Sequence, residues 1–112
     1  MAKKDLLKER IVYKPFEYQE AADYWLKQHQ AHWLHTEVPM MSDITDWSSN
    51  LNETEKNIIG SILKGFAQTE TVVNDYWSGL VTKWFRKPEV IMMATTFGAF
   101  ETIHAEAYSL LN

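Results

Sequence analysis

Near the end of the chain, the run Glu101 to Tyr108 (ETIHAEAY) holds a carboxylate, an imidazole and a phenol at spacings of three and four residues. On a helix those spacings make one row, with Glu101 beside His104 and His104 beside Tyr108. Carboxylate oxygens with one imidazole nitrogen suit iron or manganese, whereas structural zinc more often recruits cysteine. A phenol one turn beyond the histidine is close enough to exchange an electron and a proton with such a centre. The chemistry therefore requires a helix under residues 101–108 and a second element facing it with more donors.

Apolar periodicity supplies both. Ile59, Leu63, Phe66, position 70, Val73, Trp77 and Leu80 advance in alternating steps of four and three, and so do Val90, Ala94, Phe97, position 101, position 104, position 108 and Leu111. Position 70 is glutamate. The pattern that marks each face as buried thus sets Glu70 on one stripe and Glu101, His104 and Tyr108 on the other. An unpaired carboxylate in a low-dielectric interior costs at least several kcal/mol, more than the roughly 1.5–3 kcal/mol gained by burying one large apolar side chain. No lysine or arginine lies on either stripe, and a divalent cation between the helices is the compensation that fits.

Each residue also has a plainer reading. A lone Glu-x-x-His is a weak motif, a glutamate on an apolar stripe is commonly salt-bridged or snorkelling, and Tyr108 alone reads as a core aromatic with a hydrogen-bonded hydroxyl. Their coincidence on two adjacent stripes favours the metal. His29, His32 and His35 are three apart, but three helical steps turn the direction by about 300°, so His29 and His35 leave each other's face and no site is expected there. Trp33, by periodicity alone, reads as a core residue of the first helix.

The elements that position these groups follow from punctuation. Only four glycines and three prolines occur, and no segment alternates with period two, so the chain reads as all-α with three helices. A basic, extended start is stopped by Pro15. A first helix then spans about Glu17 to His35, with Ala22, Trp25, Leu26, His29 and Trp33 at helical spacing, and a connection covers Glu37 to Trp47. Asn52 with Glu55 makes a capping box that opens a helix from Glu53 toward Val81. Pro88 opens a third helix toward Asn112 with no stop signal, so the chain reads as cut rather than finished.

At 112 residues one domain is the bound, and the chain is short for a site sealed from water on all sides, so a partner is expected to complete it. Cysteine is absent, which excludes disulfides and thiolate ligands. Net charge is −4 with scattered basic residues, so nucleic-acid binding is not expected. Neither a bilayer-length apolar run nor an apolar leader follows Met1, which points away from membranes and to the cytoplasm.

The segments HWLHTEVPMMSDITDW, LNETEKNIIGSILKGFAQTETVVND and EVIMMATTFGAFETIHAEAYSLL, in this order, resemble the N-terminal portion of the small, radical-generating subunit of class I ribonucleotide reductase, from about Leu6 to Leu111. The resemblance implies a ferritin-like helical bundle, here the N-terminal part of a single domain spanning residues 1–112. Its di-metal site draws a Glu from each of two helices and a Glu-x-x-His from each of two others. Carried over, it makes Glu70, Glu101 and His104 metal ligands, Tyr108 the radical site and Trp33 the electron relay; the second Glu and second Glu-x-x-His have no counterpart before Asn112. It further implies a dinuclear iron centre, a large-subunit partner that reduces ribonucleotides, a homodimer, and the remaining half of the bundle. Most members carry aspartate at position 70. Glutamate there resembles variants that use manganese, alone or with iron, some of which do not store the oxidising equivalent on tyrosine.

Two rivals stand beside it. A ferritin-like oxidase or storage protein would keep the fold, though it has no use for the Trp33 relay. A helical interaction module would hold no complete metal site as an isolated chain.

Overall fold

In a computed structural model that describes residues 3–111, every regular element is helical. Helix α1 (Gln19–Gln30) is followed by a 3₁₀ turn at His35–Glu37, then by α2 (Met41–Thr45), which runs into a π-helical turn at Asp46–Asn50. Helix α3 (Glu53–Asp75) passes through a π-helical segment, Tyr76–Val81, into the short α4 (Thr82–Trp84), and α5 (Pro88–Leu110) returns antiparallel. Helix α5 is the centre, touched by α3 on one side and by α1 on another. None of these helices is long and apolar enough to cross a membrane.

Local chemistry explains several boundaries. The Asn52 side chain accepts the Glu55 backbone N–H and the Glu55 carboxylate accepts the Asn52 N–H, both at 2.9 Å, which closes the expected capping box. Pro88 occupies the first turn of α5, where its missing N–H has no partner to lose. The first helix departs from expectation. It stops at Gln30 rather than His35, because the Glu37 carboxylate takes the Leu34 N–H and nucleates the 3₁₀ turn, drawing residues 32–34 out of the helix. Trp33 is therefore on a connection, half exposed, and is not a core residue of α1. The segment expected to be a plain connection contains α2. The third helix reaches Leu110 with Leu111 as its cap, and Asn112 lies outside the described residues.

The far end of the second stripe is shifted. Val81 is buried and Leu80 is exposed, the reverse of the sequence expectation. The cause is the π-helical segment, whose i→i+5 turns take up an extra residue and rotate the following side chains by one position. Through that segment Trp77 meets the Phe97 edge at 4.9 Å. Val81, Val90, Ala94 and Ala21 form the small core, at the Pro88 end of α5. Gly98 allows the close approach beside it: a Cβ there would collide with Ser78 Oγ, and Asn74 Nδ2 donates to the Gly98 carbonyl at 2.6 Å.

The same end holds an ion network. Glu89 is fully buried and receives both terminal nitrogens of Arg10, while Glu17 accepts from Arg10 at 3.0 Å and from Lys87 at 3.0 and 3.1 Å. Lys87 is itself 2% exposed. Two cations thus offset two carboxylates, Glu89 away from water and Glu17 partly exposed.

Away from this end the molecule is open. It measures 66 × 23 × 17 Å with a radius of gyration of 19.0 Å, against about 13 Å for a compact chain of 100 residues. No residue of α3 is buried, and Ile59, Ile62 and Phe66 on it are exposed. The stripe expected to be buried is covered on the α5 side alone. Between α2, the start of α3 and the end of α5 lies an apolar groove of about 880 Å³.

Candidate metal centre

Antiparallel packing of α3 on α5 sets up a ladder of facing pairs: Val81 near Val90 and Ala94, Trp77 against Phe97, Asn74 against Gly98, and Phe66 against Tyr108. Glu70 sits between the Asn74 and Phe66 rungs and meets Glu101 and His104. One potential donor atom from each of these three residues lies within 4.8 Å of the other two. His104 Nδ1 is 3.2 Å from Glu101 Oε2 and 3.7 Å from Glu70 Oε2. All three are partly buried, and a cleft of about 680 Å³ opens on the Glu70–Glu101 side, also lined by Thr71 and Thr102.

The trio sets two carboxylates against one imidazole. Burial first, then the hydrogen bond and charge of Glu101, push the Glu70 carboxyl up to about 7, and the His104 imidazole only partly opposes them. The donor set is oxygen and nitrogen only, which fits iron or manganese. His104 is steered by Glu101, whose oxygen fixes the ring nitrogen nearest the pair.

The remaining site residues of the sequence reading fall around this trio. The Trp33 ring stacks on the His104 ring, centroids 5.6 Å apart and planes 21° apart, and so reaches the cluster from the connection after α1. The Tyr108 ring lies against Phe66 at 5.4 Å. His29 and His32 pack on Phe100, at 5.8 and 5.1 Å, and do not join the trio. The buried His35 Nδ1 has no hydrogen-bond partner among the described residues. Sequence reasoning placed Phe66 on the apolar stripe but did not single out Asn74, Gly98 or Phe100. Asn74 and Gly98 carried a signal, an amide and a glycine on apolar helix faces.

Helices with a carboxylate–imidazole cluster between them define the class: an all-α chain, part of a ferritin-like helical bundle. More specifically, the chain belongs to the ribonucleotide reductase small-chain family, whose sequence model matches residues 10–112. It is 39% identical, over 95% of its length, to a probable ribonucleoside-diphosphate reductase small subunit of Invertebrate iridescent virus 6, and 39% identical, also over 95%, to one of Invertebrate iridescent virus 3. Against ribonucleoside-diphosphate reductase small chain 1 of Saccharomyces cerevisiae it is 31% identical over 93% of its length. The aligned part is 29%, 28% and 26% of these proteins, so the chain spans less than a third of the relatives it matches.

Proposed function

We propose that this chain is the N-terminal, ligand-bearing part of a single ferritin-like domain in a ribonucleoside-diphosphate reductase small subunit, with Glu70, Glu101 and His104 holding one side of a dinuclear metal centre. The observation that carries the reading is the convergence of those three donor atoms within 4.8 Å on a helix pair that lies inside the family match. Iron is the default metal, and glutamate at position 70 favours manganese, alone or with iron, since its extra methylene allows mono- or bidentate reach. When bound, the metal pair supplies one-electron oxidising chemistry.

The residues of this chain have definite tasks around it. Glu101 and His104, one turn apart on α5, present two donors from a rigid backbone, and Glu70 supplies a third from across the helix interface. Tyr108 is the radical site of this reading, its ring shielded on one side by Phe66. Trp33 is the relay, and its stacking on the ligand His104 supports that role, because direct ring contact is the short path an electron needs. The partner is the large subunit that reduces ribonucleoside diphosphates to deoxyribonucleotides, as the names of the relatives suggest. A homodimer and a cytoplasmic setting come with the family resemblance.

Metal analysis of the purified protein tests the ligand assignment. Wild type is expected to retain iron or manganese and Glu101→Ala to lose most of it, with circular dichroism unchanged; equal metal content in both would overturn the assignment.

A further inference from the structure

His29 and His32 take no part in the Glu70–Glu101–His104 cluster, but both bear on the placement of Trp33. Helix α1 ends at Gln30, so Trp33 has no helical ladder to hold it. Its ring nevertheless lies flat on His104, with centroids 5.6 Å and planes 21° apart. Behind Trp33, the Glu37 carboxylate takes the Leu34 N–H and sets the direction of the backbone, which leaves the seat of the indole along α5 to the rings in front of it.

Those rings meet on Phe100 of α5. His29, in the last turn of α1, contacts it edge-on at 5.8 Å and 76°, and His32, beyond the helix end, lies more nearly face-on at 5.1 Å and 30°. Both separations fall in the range of about 4.5–7 Å where ring pairs attract. One ring thus bridges the point where α1 stops. The two imidazoles are also joined through the main chain, since the His32 N–H donates to the His29 carbonyl at 3.4 Å, and the Trp25 ring backs His29 at 4.8 Å.

Register makes these contacts act together. Phe100 and His104 are four apart on α5 and therefore neighbours on one face. His32 and Trp33 are consecutive in the connection and dock on Phe100 and His104 in the same order. Sliding the indole along α5 by a turn would carry His32 off Phe100 as well.

We propose that Phe100, gripped by His29 and His32, is a positioning residue that holds Trp33 in register on His104 and so maintains the ring contact between relay and ligand. The proposal rests on the relay reading of Trp33 and goes past it by naming what keeps the relay seated.

Nuclear magnetic resonance of the metal-free full chain, with isotope labelling confined to its histidines, tests the seat directly. A ring lying over an indole face is shifted upfield, so the His104 ring protons report the stack apart from global stability, and Trp33→Leu defines the unstacked position. Spectra are compared on the alkaline plateau, where imidazoles are neutral. Phe100→Leu should move the His104 signals most of the way from the wild-type position to that of Trp33→Leu, and His32→Leu should do the same. Phe100→Tyr keeps the ring and should leave them at the wild-type position. Phe97→Leu removes a different ring contact of α5, that with Trp77, and should lower the urea midpoint without moving His104. His32 is exposed, so His32→Leu carries the test even if Phe100→Leu unfolds. Wild-type His104 signals in both Phe100→Leu and His32→Leu would overturn the proposal and reduce these rings to packing. Identical His104 signals in wild type and Trp33→Leu would overturn it too, since there would be no stack to hold. The relay reading fails separately: large-subunit-dependent reduction undiminished by Trp33→Leu in the metal-loaded protein would overturn that reading alone, because the seat of Trp33 is read without metal or activity.

Discussion

Two clusters of buried and half-buried carboxylates lie on this molecule, and they are solved in opposite ways. At the Pro88 end of α5, Glu89 and Glu17 meet Arg10 and Lys87, so charge is offset inside the chain and Glu17 titrates below the ordinary carboxylate range, held there first by Lys87 and then by Arg10. Farther along α5, Glu101 and the facing Glu70 of α3 pair with one imidazole and, among the described residues, form no ion pair with lysine or arginine, and the Glu70 carboxyl is driven up instead. Around the first cluster a small core is packed, and the close helix approach at Gly98 marks the far limit of that packed part. Around the second, α3 is uncovered. The contrast separates a carboxylate cluster neutralised within the chain from one that the proposed function assigns to a cation.

The largest expected effect comes from breaking the neutralised cluster. Glu89→Ala leaves Arg10 facing a vacated buried site and should cost about 3–5 kcal/mol in urea unfolding. Glu70→Ala in the metal-free chain removes a like-charge contact and should cost far less; if the two variants lose equal stability, the contrast fails. Gly98→Ala tests the boundary between the packed and open halves. Its new methyl meets Ser78 Oγ and should cost about 1–3 kcal/mol, and Ser78→Ala added to it should recover most of that loss. Asn52→Ala removes the cap of α3 at its open end and should cost about 1 kcal/mol, read from the same unfolding curves.

The smallest effect is the most diagnostic, because its sign differs between the clusters. Glu17 has a folded pKa below its ordinary 4.5, so the unfolded chain binds the extra proton, and the stability Glu17 gives is full above pH 4.5 and lost as pH falls. Glu70 has a folded pKa of about 7, so the metal-free folded chain binds the extra proton, and its contribution is present below pH 4.5 and lost as pH rises toward 7. Urea midpoints across pH should lose their acid limb in Glu17→Gln and their decline between pH 4.5 and 7 in Glu70→Gln.

What could be read in advance was whatever is written locally. The capping box at Asn52 and the proline at the head of α5 are signals confined to one turn, and the spacing of Glu101 and His104 fixes their shared face wherever a helix forms. Periodicity also marked the apolar side of α3. It could not say what would cover that side, since a stripe records preference for burial and not the presence of a neighbour. The Leu80-to-Val81 shift was hidden because a π-helical segment breaks the 3.6-residue count without a distinctive residue type. Trp33 left its expected helix because one carboxylate, Glu37, captured a backbone N–H three residues upstream. The Arg10–Glu89 pair spans 79 positions, and no periodic pattern connects residues so far apart; on the sequence it read as part of a basic, extended start.

The claim that the Glu70 cluster is a cation site while the Glu17 cluster is not can be tested with one titration. Free Mn(II) has a strong magnetic resonance signal that disappears on binding, and wild type, Glu101→Ala and Glu17→Gln can be titrated side by side. The account predicts that Glu101→Ala weakens manganese binding at least tenfold and that Glu17→Gln leaves it at the wild-type level; binding equal in wild type and Glu101→Ala would contradict it.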